Sequence, residues 1–333
     1  MLSCLPINEE ITNIVNDIRD EKGKKVYWEN VCINVIDDSK IFWVNQVIRS
    51  LINYRRPYSV IDCLAYSKWN EPEIILEILK SALVQQPEPE PSGLTLAQVG
   101  SYDIQKMFEK LYSNPCVSEY EVAKMELSYL RVFELGFEPK CLTNQILSSP
   151  EIYFELLTAV FRSDTDEITT KSSKQTHFAE IAYTALERVH RIPGYSVCDH
   201  SIDETKFYKW IEATNALAKS NKYTRSHDTV LGKILSYSPD GKDGIWPAEC
   251  VREIFEKAHS DTLENSFIIG KQNQRGVHTL TAGKEEKRIA EQYKLQADKI
   301  QVAYPITASI LMRICDDYLE ESKRDQAREL KGF

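Results

Sequence analysis

Apolar residues in this chain recur at three- and four-residue steps, the spacing that lines up one face of a helix. Ile41, Val44, Val47, Ile48, Leu51 and Ile52 form one such face; Ile74, Ile75, Ile78, Leu79, Ala82 and Leu83 form another. Prolines stand at the starts of these runs rather than inside them. Pro57, Pro72, Pro139, Pro150, Pro247 and Pro305 all sit where a first helical turn tolerates a missing N–H. No run alternates convincingly with the two-residue period of a strand, although Val26 to Ile36 is rich in β-branched residues. The expected fold class is all-α.

Breaks in the helical pattern divide the chain. Residues 1–163 read as helical hairpins stacked in the manner of a HEAT-type solenoid, with an irregular bundle as the alternative. Within them, Gln85 to Gly93 (QQPEPEPSG) cannot continue a helix. It reads as a surface loop rather than a docking motif for a proline-binding groove, because no basic residue flanks its prolines. Ser101 is expected to cap one helix, and Ser118 with Glu121 to form the capping box of the next. The polar stretch 164–174 has too little bulk to bury and is expected to be a linker. Residues 175–333 read as a C-terminal helical bundle, with Trp246 plugging apolar surface just before a helix at Pro247. Its last helix starts near Pro305, and the charged residues beyond Glu320 are expected to fray or project.

Charge and cysteine usage narrow the class of function. A formal net charge of −9 argues against a nucleic-acid partner. Eight cysteines without a CxxC pair suit a reducing compartment, and no apolar stretch approaches the ~20 residues that span a bilayer. The N-terminus MLSCLPINEE lacks the basic start and apolar run of a signal peptide. The expectation is a cytoplasmic protein without a membrane partner.

The segment 270–284 is the least generic part of the chain. It reads as a long polar loop between a helix ending at Ile269 and another opening at Lys284. Connections between packed helices are mostly shorter, and long ones tend to be functional or disordered. Lys271, Arg275, His278 and Lys284 are its basic residues and the candidate binding loop; an internal pairing with Glu264, Glu285 or Glu286 is the alternative. A phosphate-binding P-loop is rejected. Gly276 and Gly283 enclose six residues rather than four, and Lys284 is followed by Glu285 instead of Ser or Thr. Cys198, His200 and His190 lack a second ligand pair for zinc, and Asp316, Asp317, Glu320 and Glu321 read as a solvated helix face. No motif calls for a cofactor, and no residue qualifies as catalytic by its local signature.

DGIWPAE, LENSFIIGKQNQRGV and AGKEEKRIAEQY, followed by a Tyr-Pro turn into a charged helix, resemble the C-terminal helical region of large bacterial proteins whose activity is mostly unassigned. YDIQKMFEKLY, VAKMELSYLRVFE and PEIYFELLTAVFR resemble the region preceding it there, so the likeness runs from about Tyr54 onward. Where that family carries Gly-Gly, this chain has Ala282-Gly283. The resemblance implies one end of a larger protein, such as an effector or defence protein, and transfers no catalytic residue. Taken with the residues themselves, it favours a non-enzymatic helical scaffold or sensor that binds a protein partner. The alternative is an enzyme or small-anion or nucleotide binder whose site is assembled from distant helices around 270–284.

Overall fold

The computed structural model describes residues 7–33, 40–114, 116–134, 136–165, 173–276 and 283–330. Among them the secondary structure is entirely helical, apart from one isolated bridge between Tyr195 and Ile202. None of the described helices is long and apolar enough to cross a membrane. The chain forms two compact units, 1–144 and 145–333. The division falls inside a helix, because Tyr153, Leu156 and Leu157 of the next helix bury their faces within the second unit. Most of the expected linker, 166–172, lies outside the described residues.

The first unit contains α1 (Glu9–Asp17), α2 (Glu21–Asn30), α3 (Ile41–Asn53), α4 (Pro57–Leu64), α5 (Pro72–Gln85), α6 (Ser101–Tyr112) and α7 (Glu119–Tyr129). It also takes in the start of α8 (Lys140–Ser148). These helices pack mainly on neighbours one or two places along the chain. The periodic residues Val44, Ile48, Leu51, Ile75, Ile78 and Leu79 form the core. Phe108 joins them, edge-on to both Tyr129 and Phe133.

Two expected caps are corrected. Ser101 is the first residue of α6 and not its cap; Gly100 takes that place, and its amide donates to Asp103 Oδ2 at 3.1 Å. Ser118 does precede α7 but makes no side-chain cap, since Glu121 turns instead to Lys124 and Lys80.

The proline-rich loop hides a structural device. Glu90 is buried, and its carboxylate accepts hydrogen bonds from the amides of Tyr58 and Ser59 in the first turn of α4. Ser59 Oγ donates to it as well, at 2.5 Å, and Arg56 lies 3.9 Å away. Four unpaired amides and the helix dipole make such a turn a natural seat for a carboxylate. Glu126 of α7 does the same for α8, accepting from the Cys141 and Leu142 amides and from the Tyr112 hydroxyl. Its burial pushes its pKa up to about 7, against the pull of those three donors.

The second unit contains α9 (Pro150–Val160), α10 (Ser173–Glu187), α11 (Glu204–Asn221), α12 (Thr224–Leu235) and α13 (Glu249–Ala258). α14 (Asp261–Asn273), α15 (Lys284–Ile300) and α16 (Pro305–Leu330) complete it. α9 packs on α10 and α11, α12 lies along α14, and α15 pairs with α16. Contrary to expectation, the chain beyond Glu320 continues as one helix to Leu330, with Ser322 and Asp325 buried. The anchor is a close approach. Gly283, at φ +73°, would place a Cβ 2.3 Å from the Ser322 carbonyl, and Ser322 Oγ donates to Gly283 O at 2.6 Å. Only glycine takes that backbone conformation and that proximity together.

Candidate functional site

The loop between α12 and α13 is set by a buried arginine. Arg252 lies on the inner face of α13 beside Val251 and Phe255, without exposed surface. Its guanidinium forks onto Asp243, with Nη1 to Oδ2 at 2.6 Å and Nη2 to Oδ1 at 2.8 Å. It also donates to the carbonyls of Pro247 and Ile245. The Arg252 hydrogen bonds hold the Asp243 carboxyl below the usual carboxylate range. A planar fork matched to a carboxylate fixes orientation as well as distance. The loop therefore presents Trp246 in one pose, with its indole N–H donating to Ser238 O at 2.9 Å and its ring stacked on Phe267 at 4.9 Å. Trp246 is buried, as a plug of apolar surface should be.

Across Trp246 lies α14, which runs four residues further than its sequence suggests. Gly270 does not end the helix. A Cβ there would sit 2.5 Å from Ser236 Oγ and 3.2 Å from the Lys233 Cα, so this glycine is what lets α12 approach. Lys271 is consequently a helical residue rather than part of a loop. Its Nζ stands 4.4 Å from the centroid of the Trp246 ring, within cation–π range, and reaches Gln274 Oε1 at 3.5 Å. Burial pushes the Lys271 ammonium pKa down, while the charge of Asp240 works the other way. Lys271, Trp246 and Asp240 share a pocket of about 200 Å3 with Ile289, Gln292, Tyr293 and Gln296 of α15.

Arg275 has a different role. It ion-pairs through Nη2 with Glu286, which is fully buried in the first turn of α15, and through Nη1 with Glu321 of α16 at 3.3 Å. Its guanidinium centre lies 5.4 Å from the Tyr318 ring. Arg275 thus latches α15 and α16 together at the end of α14. The cleft beside it, of about 490 Å3, has charged walls that are already engaged: Gln272 donates to Asp317 at 2.7 Å and Arg324 pairs with Glu320 at 3.1 Å.

The described basic residues of 270–284, Lys271, Arg275 and Lys284, are therefore not brought together. Lys271 and Arg275 line separate pockets, Lys284 is exposed at the start of α15, and His278 lies outside the described residues. Of the three acids considered as internal partners, Glu286 takes Arg275, while Glu264 pairs with Arg313 at 3.0 Å and Glu285 with Arg288 at 4.0 Å. The pairing of Glu286 had a sequence signal. It sits on the same helical row as Ile289, Ala290, Tyr293 and Ala297, and a carboxylate on an apolar row needs a partner. Arg252 between Val251 and Phe255 carries the same signal. The Lys271 pocket had none, because its walls come from three separated segments.

Among the described residues, no group of His, Cys, Asp and Glu is placed to hold a metal ion. His190 stacks on Tyr237 at 4.8 Å, and His200 Nδ1 meets the Tyr195 hydroxyl at 2.9 Å. The chain matches no protein-family model, no curated protein and no solved structure.

Proposed function

We propose that this chain is a non-enzymatic helical module that works by binding a protein partner through its first unit. The observation that carries the reading is an exposed aromatic pair. Tyr66 and Tyr102 are 69% and 48% exposed, with ring centroids 6.3 Å apart. Lys106 lies 5.0 Å over the Tyr102 ring, and Asp103 follows Tyr102 directly in α6. Tyrosines framed by charge are typical of the residues that anchor protein interfaces, since they bury much area at little entropy cost. The stacked-hairpin arrangement expected of the N-terminal region draws support from the packing of α1 to α7 on helices one or two places away in the chain. Such arrays offer extended binding surfaces. On the motif likeness, the module would serve as the regulatory end of a larger bacterial effector or defence protein.

The test is affinity capture from host lysate with the wild-type chain and with the double variant Tyr66→Ser, Tyr102→Ser. The wild type is expected to retain a stoichiometric protein that the variant loses. The variant's own melting temperature should move by no more than about 2 °C, as for other exposed substitutions. Retention of the partner by the double variant, or capture of none by the wild type, would overturn the proposal.

A further inference from the structure

The pocket at Lys271 has chemistry that the fold does not use. Three walls meet there: the Asp240–Trp246 loop, Lys271 of α14, and Ile289, Gln292, Tyr293 and Gln296 of α15. An ammonium has three donors. Lys271 directs one at Gln274 Oε1 over a long 3.5 Å and rests on the indole face, which leaves donors to spare. Asp240 lines the same pocket, is exposed, and influences Lys271 electrostatically. The Gln296 side-chain amide oxygen, Oε1, is buried and takes no hydrogen bond. A buried acceptor of that kind is uncommon and normally finds a partner. The remaining walls are Trp246, Tyr293 and Ile289, with the side chain of Gln292.

We propose that this pocket binds a free α-amino acid, with its carboxylate on Lys271, its ammonium towards Asp240 and its side chain against Trp246 and Tyr293. Both charges of the ligand are needed to match a pocket that carries one of each sign. A simple anion would meet Asp240 with like charge, and a simple amine would meet Lys271. The volume, about 200 Å3, suits a molecule of amino-acid size. A small number of placed polar groups beside apolar walls is how small-molecule sites fix orientation. The inference does not depend on the partner-binding reading, and each can fail without the other.

Thermal unfolding of the full chain with each of the twenty protein amino acids, at about 10 mM, tests it. At least one is expected to raise the melting temperature by several degrees. For that amino acid, the matching decarboxylated amine and the matching deaminated acid should each give no shift. Lys271→Met keeps an apolar stem over the indole, and Asp240→Asn alters only an exposed side chain. Each variant should weaken binding at least tenfold in a calorimetric titration while melting near the wild type without ligand. The proposal is overturned if no amino acid shifts the melt, if either variant binds as the wild type does, or if the deaminated acid binds equally well.

Discussion

Glu256 near the end of α13 caps Thr307 in the first turn of α16. Its carboxylate accepts from the Thr307 amide at 2.9 Å, the Thr307 hydroxyl at 3.0 Å and the Ile306 amide at 3.2 Å. The same arrangement recurs at Glu90 on α4 and Glu126 on α8. All three receiving helices begin at or just after a proline: Pro57, Pro139 and Pro305. The residue at or before each start is Arg56, Pro139 or Tyr304, none of which supplies a short oxygen acceptor of its own. A glutamate distant in sequence satisfies the free amides instead, and so ties one helix to another.

Glu256→Ala should therefore destabilise the chain by about 1–2 kcal/mol, the usual worth of a lost cap. Urea denaturation at neutral pH reads this directly as a lower midpoint with an unchanged slope. Glu253→Ala, one turn earlier and paired with Lys257 on the surface, serves as the control and should change stability by less than about 1 kcal/mol.

A buried histidine makes the second unit sensitive to acid. His227 lies between the Tyr153 hydroxyl at Nδ1 and Asn215 Oδ1 at Nε2, each at 3.0 Å, and burial pushes its pKa down to about 4. Unfolded, it titrates near 6.5. Between those values the unfolded chain binds the extra proton, so stability falls as pH drops. Going from about pH 7 to about pH 5 should cost roughly 2 kcal/mol at this site. His227→Gln should flatten that slope while lowering stability at neutral pH. Glu126 has the opposite sign: its raised pKa favours the folded state at low pH and loses that contribution as pH rises towards 7. A wild-type and variant pair with parallel pH dependences would refute the His227 assignment.

Gly270 separates the structure from the reading of 270–284 as one loop. At a loop boundary, Gly270→Ala would be neutral or stabilising. In mid-helix against Ser236 and the Lys233 backbone, the added methyl should outweigh the gain in helix propensity. The expected net loss is about 1–3 kcal/mol, measured by thermal or urea unfolding.

Periodicity alone made most of the architecture legible. The faces of α3 and α5, the proline starts of α4, α5, α9 and α16, and the opening of α15 at Lys284 all follow from it. Helix ends were harder, because glycine reads as a terminator whether it caps a helix or lets two helices touch, and Gly270 does the second. The capping role of Glu90 was hidden for a related reason. A glutamate among prolines looks solvated until the helix it serves, some thirty residues away in sequence, is in place. At the candidate site, Lys271 and Arg275 were visible as basic residues. Their separation into a pocket and a latch depends on Trp246, Glu286 and Glu321, which come from other segments.

The separate roles of Lys271 and Arg275 can be read from one thermal melt of Arg275→Ala beside Lys271→Met. Removing Arg275 leaves Glu286 buried without its guanidinium partner, which should cost about 3–5 kcal/mol. For a unit of this size that corresponds to a fall in melting temperature of roughly 10 °C. Lys271→Met should melt close to the wild type. Equal, small shifts in the two variants would contradict the latch and return both residues to a common exposed loop.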